Sequence, residues 1–539
     1  MFGPGQKRGS ATSPDRARLR GQDRPNGHPG NGRPYTGESS GDGNGGAATG
    51  NGSVATGKVV AGTVVNGNGN GAVKVAPRPV VLDDQLPVVS ANGNGFPVAE
   101  KLPEHHRRLY IPLRLKLLFV ALCSLAWVGF SLWLAIPWIQ DLGQSITVPL
   151  AAALIAGIAL VPGYLNAHLI SSLLFDKAPP LRFDVDFPAI TLIVACFNEE
   201  EVIEETLDYA CAQDYPGEFR ILVADDGSSD RTVELAALRA EQDERISVRS
   251  FEHGGKANTL NNALLQVGTP LIATLDADTL LMPEALKRCV ARLLVSPPST
   301  VAVAGAVFVR NSRANLLTQA QEWDYFLGIA SIKRQQGLFQ GTLVAQGAFS
   351  VYRTEPVLEV GGWPDRIGED IVLTWAMMNK GAGVTYEKTA VAFTDAPETA
   401  KAFAKQRRRW ARGMIEGLRE FGPALIRGRR AYAHSVIVDY VFPYVDLVYS
   451  IAFPVGIVLA LGFQNYAIVG PLTLLVLPLN MILSGIMFKL SRDSFNEVGL
   501  RVRRNIKGFF SYLLLYQLFM SPVSVVGYVQ ELFRTKRNW

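Results

Sequence analysis

Five short stretches combine carboxylates, a glutamine and arginines at spacings that chemistry can use: CFNEE (196–200), ADDGSSD (224–230), LDAD (275–278), GED (368–370) and KQRRRW (405–410). Asp276 and Asp278 stand two apart, so an extended chain points both carboxylates to one side. Two hard oxygen ligands suit Mg2+ or Mn2+ holding a diphosphate, with waters and phosphate oxygens completing the shell. Asp225 or Asp226 could accept a hydrogen bond from a base or ribose edge. Lys256, first in its helix after Gly254 and Gly255, would add positive charge beside the same diphosphate; a solvated helix-start lysine is the plainer alternative. Glu369 and Asp370 open a helix, where a carboxylate can simply cap the backbone. A diphosphate pocket also needs a general base to take the proton from an attacking hydroxyl, and Asp370 is the best acid left unassigned.

Taken singly these signals are weak, because Asp-Asp-Gly is an ordinary turn and Asp-x-Asp occurs by chance. The elements around them change the weight. AITLIVACF (189–197), FRILVADD (219–226), ISVRSF (246–251) and PLIATLDAD (270–278) read as buried strands alternating with helical stretches such as SSDRTVELAALRAEQ and KANTLNNALLQV. That alternation predicts an α/β domain over about 183–400, a mostly parallel sheet covered by helices. Three motifs then fall at successive strand carboxyl ends, where open α/β sheets bind ligands. Farther on, QGAFSVYR (346–353) ends in a short strand, and GEDIVLTWAMMNKG (368–381) is a helix closing on Gly381.

The rest of the 539 residues is uneven. Residues 1–100 are crowded with Gly, Asn, Pro and Ser and cannot bury enough apolar surface to offset the entropy of ordering, which predicts a disordered tail with no cleavable secretory signal. Runs at 113–136, 146–175, 436–463, 466–488 and 509–529 are each long enough to cross about 30 Å of hydrocarbon. The chain therefore reads as a multi-pass membrane protein, with two spans over 113–175 and three or four over 436–529. Basic residues at 105–116 and 489–507 place residues 176–435 in the cytoplasm by the arginine and lysine bias. Five spans would leave the basic tail RTKRNW outside, so an extra short or re-entrant segment inside 436–463 is expected. The four cysteines (Cys123, Cys196, Cys211, Cys289) lack metal-type spacing and predict free thiols. The net charge of +5 gathers beside the apolar runs, which fits a lipid bilayer and gives no reason to expect nucleic acid.

Together, ACFNEE (195–200), DDGSSD (225–230), KANTLN (256–261), DAD (276–278), GED (368–370) and QRRRW (406–410) resemble the membrane-integrated, processive family-2 glycosyltransferases, a group that includes synthases of cellulose, chitin, hyaluronan and poly-N-acetylglucosamine. The resemblance covers roughly 110–535. It implies a GT-A domain inserted between N- and C-terminal transmembrane helices, a UDP-sugar donor, a divalent cation, inversion at the anomeric carbon and a growing polysaccharide acceptor in the plasma membrane, with an envelope or export partner protein as a further expectation. It puts Asn198, Glu199, Asp225 and Asp226 around the uridine, Lys256 near the diphosphate, and the metal on Asp276 and Asp278, with Asp278 the more direct ligand. Asp370 matches the catalytic base and Glu369 lies beside it on the acceptor side. Gln406, Arg409 and Trp410 match the Gln-x-x-Arg-Trp motif that meets donor diphosphate and acceptor sugar. Cellulose synthases commonly have Thr where this chain has Gly368. The tail SPVSVVGYVQELFRTKRNW and the TDAPET segment (394–399) look most similar to the poly-β-1,6-N-acetylglucosamine synthase type. The competing expectation is a non-processive transferase making a glycolipid or a polyprenyl-phosphate sugar.

On a helix, Gln406, Arg409 and Trp410 share one face. Phe403, Trp410, Met414, Leu418 and Phe421 form an apolar stripe, so 401–430 is expected to lie at the membrane interface, with Arg407 and Arg408 turned away toward lipid headgroups.

Overall fold

The computed structural model describes residues 2–3, 113–175, 178–428, 430–469, 471–502 and 504–535. Apart from residues 2–3, the tail expected to be disordered lies outside the described residues, as do the basic residues 105–108 and 536–539.

Eight strands form one sheet. They are β1 (Ile190–Cys196), β2 (Phe219–Asp225), β3 (Ile246–Ser250), β4 (Leu271–Asp276), β5 (Leu280–Leu281), β6 (Thr300–Val309), β7 (Phe349–Arg353) and β8 (Gly383–Thr394), in the order β3-β2-β1-β4-β7-β6-β8-β5. Apart from the largely exposed edge strand β3, their apolar runs are buried on both faces, as strands sandwiched between helices require; Ile190, Leu192, Ile193, Val194, Ile221 and Val223 expose nothing measurable. The first four strands are parallel, as the alternating sequence pattern predicts. The other half is mixed: β7 runs antiparallel to both β4 and β6, and β5 antiparallel to β8, while β6 and β8 are parallel. The expectation of a mostly parallel sheet therefore holds only for the first half, because QGAFSVYR enters next to β4 from the opposite end. The result is the GT-A-like mixed sheet with helices.

Register is what makes a site. Cys196 pairs with Asp225, Ala195 with Asp276 and Asp225 with Ser250. Three strand ends and the loops after them thus stop at one level, and Leu275 opposite Phe349 brings residues 346–348 to the same edge.

Helices α1 (Leu113–Ser145), α2 (Val148–Leu174, with a π-helical turn at Ala156–Leu160), α3 (Ile203–Cys211), α4 (Thr232–Ala240), α5 (Lys256–Leu264), α6 (Ala285–Val295), α7 (316–338, containing the π-helical segment Asp324–Ala330), α8 (Glu369–Asn379), α9 (Ala400–Glu420), α10 (Ala433–Phe463), α11 (Pro471–Glu497) and α12 (Ile506–Leu532, π-helical at Tyr512–Tyr516) complete the frame. Among the described residues α1 (from Leu115), α2, α10 and α12 are long and apolar enough to cross a membrane. Their outward surfaces fit that role: Leu118, Leu122, Leu125 and Trp133 on α1 and Leu461 on α10 are exposed, as a lipid solvent allows and water does not. The fifth apolar run, 466–488, falls largely in α11, where the side chains of 471–479 lie outside the described residues. Two expectations are corrected. Residues 436–463 contain no re-entrant segment but lie within the single helix α10, which runs through Pro443 and Pro454. The connection expected at 137–147 is shorter, since α1 continues past Pro137 to Ser145.

Candidate active site

The loop after β1 begins with Asn198 in the left-handed region (φ 55°), a conformation that asparagine tolerates better than most side chains. Its Oδ1 accepts from Ser229 N at 2.8 Å, its own N–H donates to the Ser228 hydroxyl at 2.8 Å, and Glu199 N donates to Thr232 Oγ1 at 2.8 Å. Asn198 therefore fastens the DDGSSD loop to the first strand end. Asp225 is fully buried and accepts from Ser228 N (3.1 Å) and the Ser250 hydroxyl (2.5 Å). Asp226 accepts from Gly254 N (2.9 Å), Gly255 N (3.0 Å) and Thr259 Oγ1 (2.7 Å), with His253 Nδ1 3.0 Å from its Oδ2. Both carboxylates thus organise turns within the chain. Asp226 in particular sets the glycine turn that starts α5, where Gly255 has φ 85°.

That turn delivers Lys256 into a group of acids. Its ammonium contacts Asp276 Oδ1 directly and stands 3.7 Å from Glu369 Oε1. Burial alone would lower the Lys256 pKa, but the charges of Asp276 and Glu369 outweigh it and hold the ammonium above its ordinary range. β4 ends at Asp276, so Asp278 sits in the following turn rather than in extended chain, and its Oδ1 accepts from Thr279 and Thr394 hydroxyls at 3.2 Å each. The two carboxylates are still neighbours in charge: burial and then Asp276 raise the Asp278 pKa. Burial, followed by Asp278 and Asp276, pushes Glu199 up to about 7. Burial likewise pushes Glu369 up to about 7, against the pull of Lys256. At the mouth of α8, Asp370 accepts from Gly347 N at 3.1 Å and Ile371 N at 2.8 Å, which aims it at the 346–348 segment beside β4.

A mouth holding Glu199, Asp276 and Asp278 repels its own charge, and that is the condition in which a cation is held. Among the described residues no three His, Cys, Asp or Glu side chains converge as a ready-made cage. Two aspartates fit a divalent cation whose remaining positions are filled by phosphate oxygens and water.

The α8 and α9 backbones touch. A Cβ built on Gly368 would stand 2.6 Å from the Gly413 Cα, and one built on Gly413 would stand 2.7 Å from the Gly368 Cα. Glu416 Oε2 accepts from Ile367 N (2.8 Å) and Gly368 N (3.1 Å). Gly368, where the resemblance would allow threonine, therefore faces α9 and has no room for a side chain. On α9, Arg409 is exposed and Trp410 half-buried, while Gln406 Oε1 is buried without a hydrogen-bond partner among the described residues.

One expectation fails here. Arg407 does not turn toward headgroups; it is 2 % exposed, paired with Asp324 and stacked over Trp410. Nor is the apolar stripe of α9 open, since Phe403 packs edge-on against Tyr516 and Leu418 is buried. The reason is that α12 and α7 cover the far side of the helix.

Sequence reasoning passed over three residues. Phe197 and His253 stack with ring centroids 4.5 Å apart and 25° between planes, both exposed at the strand ends, a ready surface for a flat base. Phe197 lies inside the quoted ACFNEE motif, but nothing local pairs it with residue 253. Tyr325, buried, stands 6.3 Å from Trp410 and within the electrostatic reach of Asp278, Arg407 and Arg409, and burial pushes its phenol up to about 12.

Residues 188–413 match the family model described as Glycosyltransferase like family 2. Those residues are thus similar to family-2 glycosyltransferases. Over 244 residues it is 35 % identical to the poly-beta-1,6-N-acetyl-D-glucosamine synthase of Staphylococcus aureus, covering 45 % of this chain and 58 % of that protein. With the synthase of the same name from Staphylococcus epidermidis the identity is 32 % over 238 residues, 44 % and 57 % of the two chains. The chain thus spans a little under three fifths of the length of these curated relatives. Among solved structures, a mannosyltransferase from Pyrobaculum calidifontis in complex with GDP-Man and Mn2+ aligns over 71 % of this chain and 99 % of its own, at 19 % identity and a TM-score of 0.48.

Proposed function

We propose that the protein is an inverting, processive glycosyltransferase that polymerises a UDP-activated hexose, with UDP-N-acetylglucosamine the favoured donor, into a β-linked polysaccharide and passes it through its own membrane helices. The observation that carries the reading is the meeting of Lys256, Asp276, Glu369 and Asp370 at one sheet edge, on a helix pair whose second member bears Trp410. The similarity to poly-N-acetylglucosamine synthases over the same residues supports the choice of sugar.

The donor's uracil stacks on the Phe197 and His253 rings within the frame that Asn198, Asp225 and Asp226 hold. Asp276 and Asp278 would hold Mg2+ or Mn2+, which would supply positive charge to the donor diphosphate. Lys256 and Arg409 meet the negative charge that grows on UDP as it leaves. Asp370, kept in place by the Gly347 and Ile371 amides, takes the proton from the acceptor hydroxyl as its oxygen attacks the anomeric carbon from the face opposite UDP. The new glycosidic bond forms as the bond to UDP breaks, and the configuration inverts. Glu369 and Trp410 sit on the acceptor side, Trp410 offering the stacking face. In this reading residues 183–400 and the α9 region (401–430) face the cytoplasm, between the membrane segments 113–175 and 436–529, and the product leaves on the other side.

The purified protein in lipid, given a panel of UDP-sugars with Mg2+ or Mn2+, should turn UDP-N-acetylglucosamine into a long polymer that a β-1,6-specific glucosaminidase digests. A single sugar added to lipid would instead establish the non-processive transferase. No UDP release with any donor would overturn both.

A further inference from the structure

Arg407 is the one charged side chain of the QRRRW run that leaves solvent altogether. Its guanidinium carbon lies 4.1 Å from the centroid of the Trp410 ring, 5.2 Å from Phe403 and 5.8 Å from Tyr325. Nη1 reaches Asp324 Oδ2 at 2.9 Å, and the same oxygen accepts from the Tyr516 hydroxyl at 2.8 Å. Nε and Nη2 find no hydrogen-bond acceptor among the described residues; aromatic rings stand around them instead. Asp324 opens the π-helical segment of α7, and Tyr516 closes that of α12. Two locally widened helices thus supply the two groups that meet over the arginine.

A buried ion pair is a poor stabiliser, because an apolar side chain of similar volume often serves as well. What an apolar side chain cannot do is attract the ring face next to it. Arg407 and Trp410 are three residues apart on α9, so they are neighbours on the helix surface, and a guanidinium over an indole is the strongest ordinary cation–π pairing. Asp324 in turn fixes where the guanidinium can sit, and Tyr516 fixes Asp324 to a membrane-length helix.

We propose that Arg407 is the positioning residue for Trp410 and that the Arg407–Asp324–Tyr516 chain ties the acceptor-side indole to α12, so that the sugar-stacking surface and the membrane passage keep one alignment. The proposal rests on the polymerase reading, since that reading gives Trp410 its acceptor. Of the groups around Arg407, only Tyr325 comes within electrostatic reach of donor-side residues, Asp278 and Arg409, and the Arg407–Asp324–Tyr516 chain includes none of them. Its loss therefore acts on transfer and chain length while sparing donor affinity.

The test uses full-length protein in lipid with UDP-N-acetylglucosamine, comparing wild type with Arg407→Met, Arg407→Lys, Asp324→Asn and Tyr516→Phe by donor KM, kcat and product length. Arg407→Met should lower kcat about 100-fold, the scale of a roughly 1 Å misplacement, and shorten the product, with donor KM changed less than about twofold. Arg407→Lys keeps the charge for Asp324 and should recover about tenfold of that loss. Tyr516→Phe, which removes one hydroxyl and little else, should shorten the product at unchanged donor KM. Wild-type kcat and product length in Arg407→Met overturn the proposal. So does a rise of donor KM in step with the loss of kcat in all four variants, the mark of a merely structural role. Polymer from the wild type tests the polymerase reading separately: if it is absent, that reading fails, whereas polymer from wild type and variants alike sinks only the role of Arg407.

Discussion

The strand-end loops and helix α9 border the same site and are built in opposite ways. In the loops, polar and charged side chains are satisfied by main-chain N–H groups a few residues off or one strand over: Asp225 by Ser228, Asp226 by Gly254 and Gly255, Asn198 by Ser229. In α9 the fixing contacts come from far along the chain: Asp324 to Arg407, Glu531 to Arg412 at 3.1 Å, and the backbone of Gly368 against Gly413. In the proposed reading the loops are a local frame for the donor. The helix is a tertiary joint between the catalytic domain and the last membrane-length helix, and a change there should act on turnover, whereas a change in the loops should act on donor affinity.

The comparison can be broken from the side of largest effect. Asp370→Asn removes the proposed base and should cut transfer by about 10²–10⁴-fold, with UDP binding by calorimetry unchanged; ordinary polymer yield would end its assignment. Gly413→Ala forces a methyl group into the Gly368 backbone and should lower kcat about 10- to 100-fold at nearly constant donor KM. Asp226→Asn gives up acceptor strength toward Gly254, Gly255 and Thr259 and should raise donor KM about tenfold with a smaller change in kcat. If that variant instead shifts kcat alone, the division between loops and helix is wrong. The smallest effect concerns Glu199, whose folded pKa of about 7 lies above the ordinary 4.5. A carboxyl raised in the fold favours folding at low pH, and that contribution is lost as pH climbs through the folded value. Without divalent cation, Glu199→Gln should therefore raise Tm above about pH 7, the gain fading toward pH 4.5. An equal gain at pH 5 and pH 8 would show that Glu199 does not titrate as described.

The same contrast explains what the sequence made legible. The parallel strands, their carboxyl-end motifs and the apolar runs follow from periodicity and turn residues, all local properties. Asp276 and Lys256 were named from their places at a strand end and a helix start, and they meet. Arg407 was misplaced because helical spacing says which residues share a face but not what covers each face. The covering helices, α7 and α12, come from segments on opposite sides of α9. Phe197 and His253 meet only because β1 and β3 flank β2 in the sheet, and the antiparallel entry of β7 depends on partners that a single strand's pattern does not encode.

The π-helical turn at Tyr512–Tyr516 acts as a phase setting for the end of the chain. A π turn holds one residue more than an α turn, and one residue of α-helix is about 100° of rotation. Downstream of it, Ser521 and Tyr528 donate to Asp446 at 2.7 Å each, and Glu531 receives Arg412. Winding those same residues as regular α-helix, with none removed, would leave the apolar length of α12 almost unchanged. It would also swing those three side chains about a quarter turn from their partners. The helix would still be long enough to span, but its far end would point the wrong way.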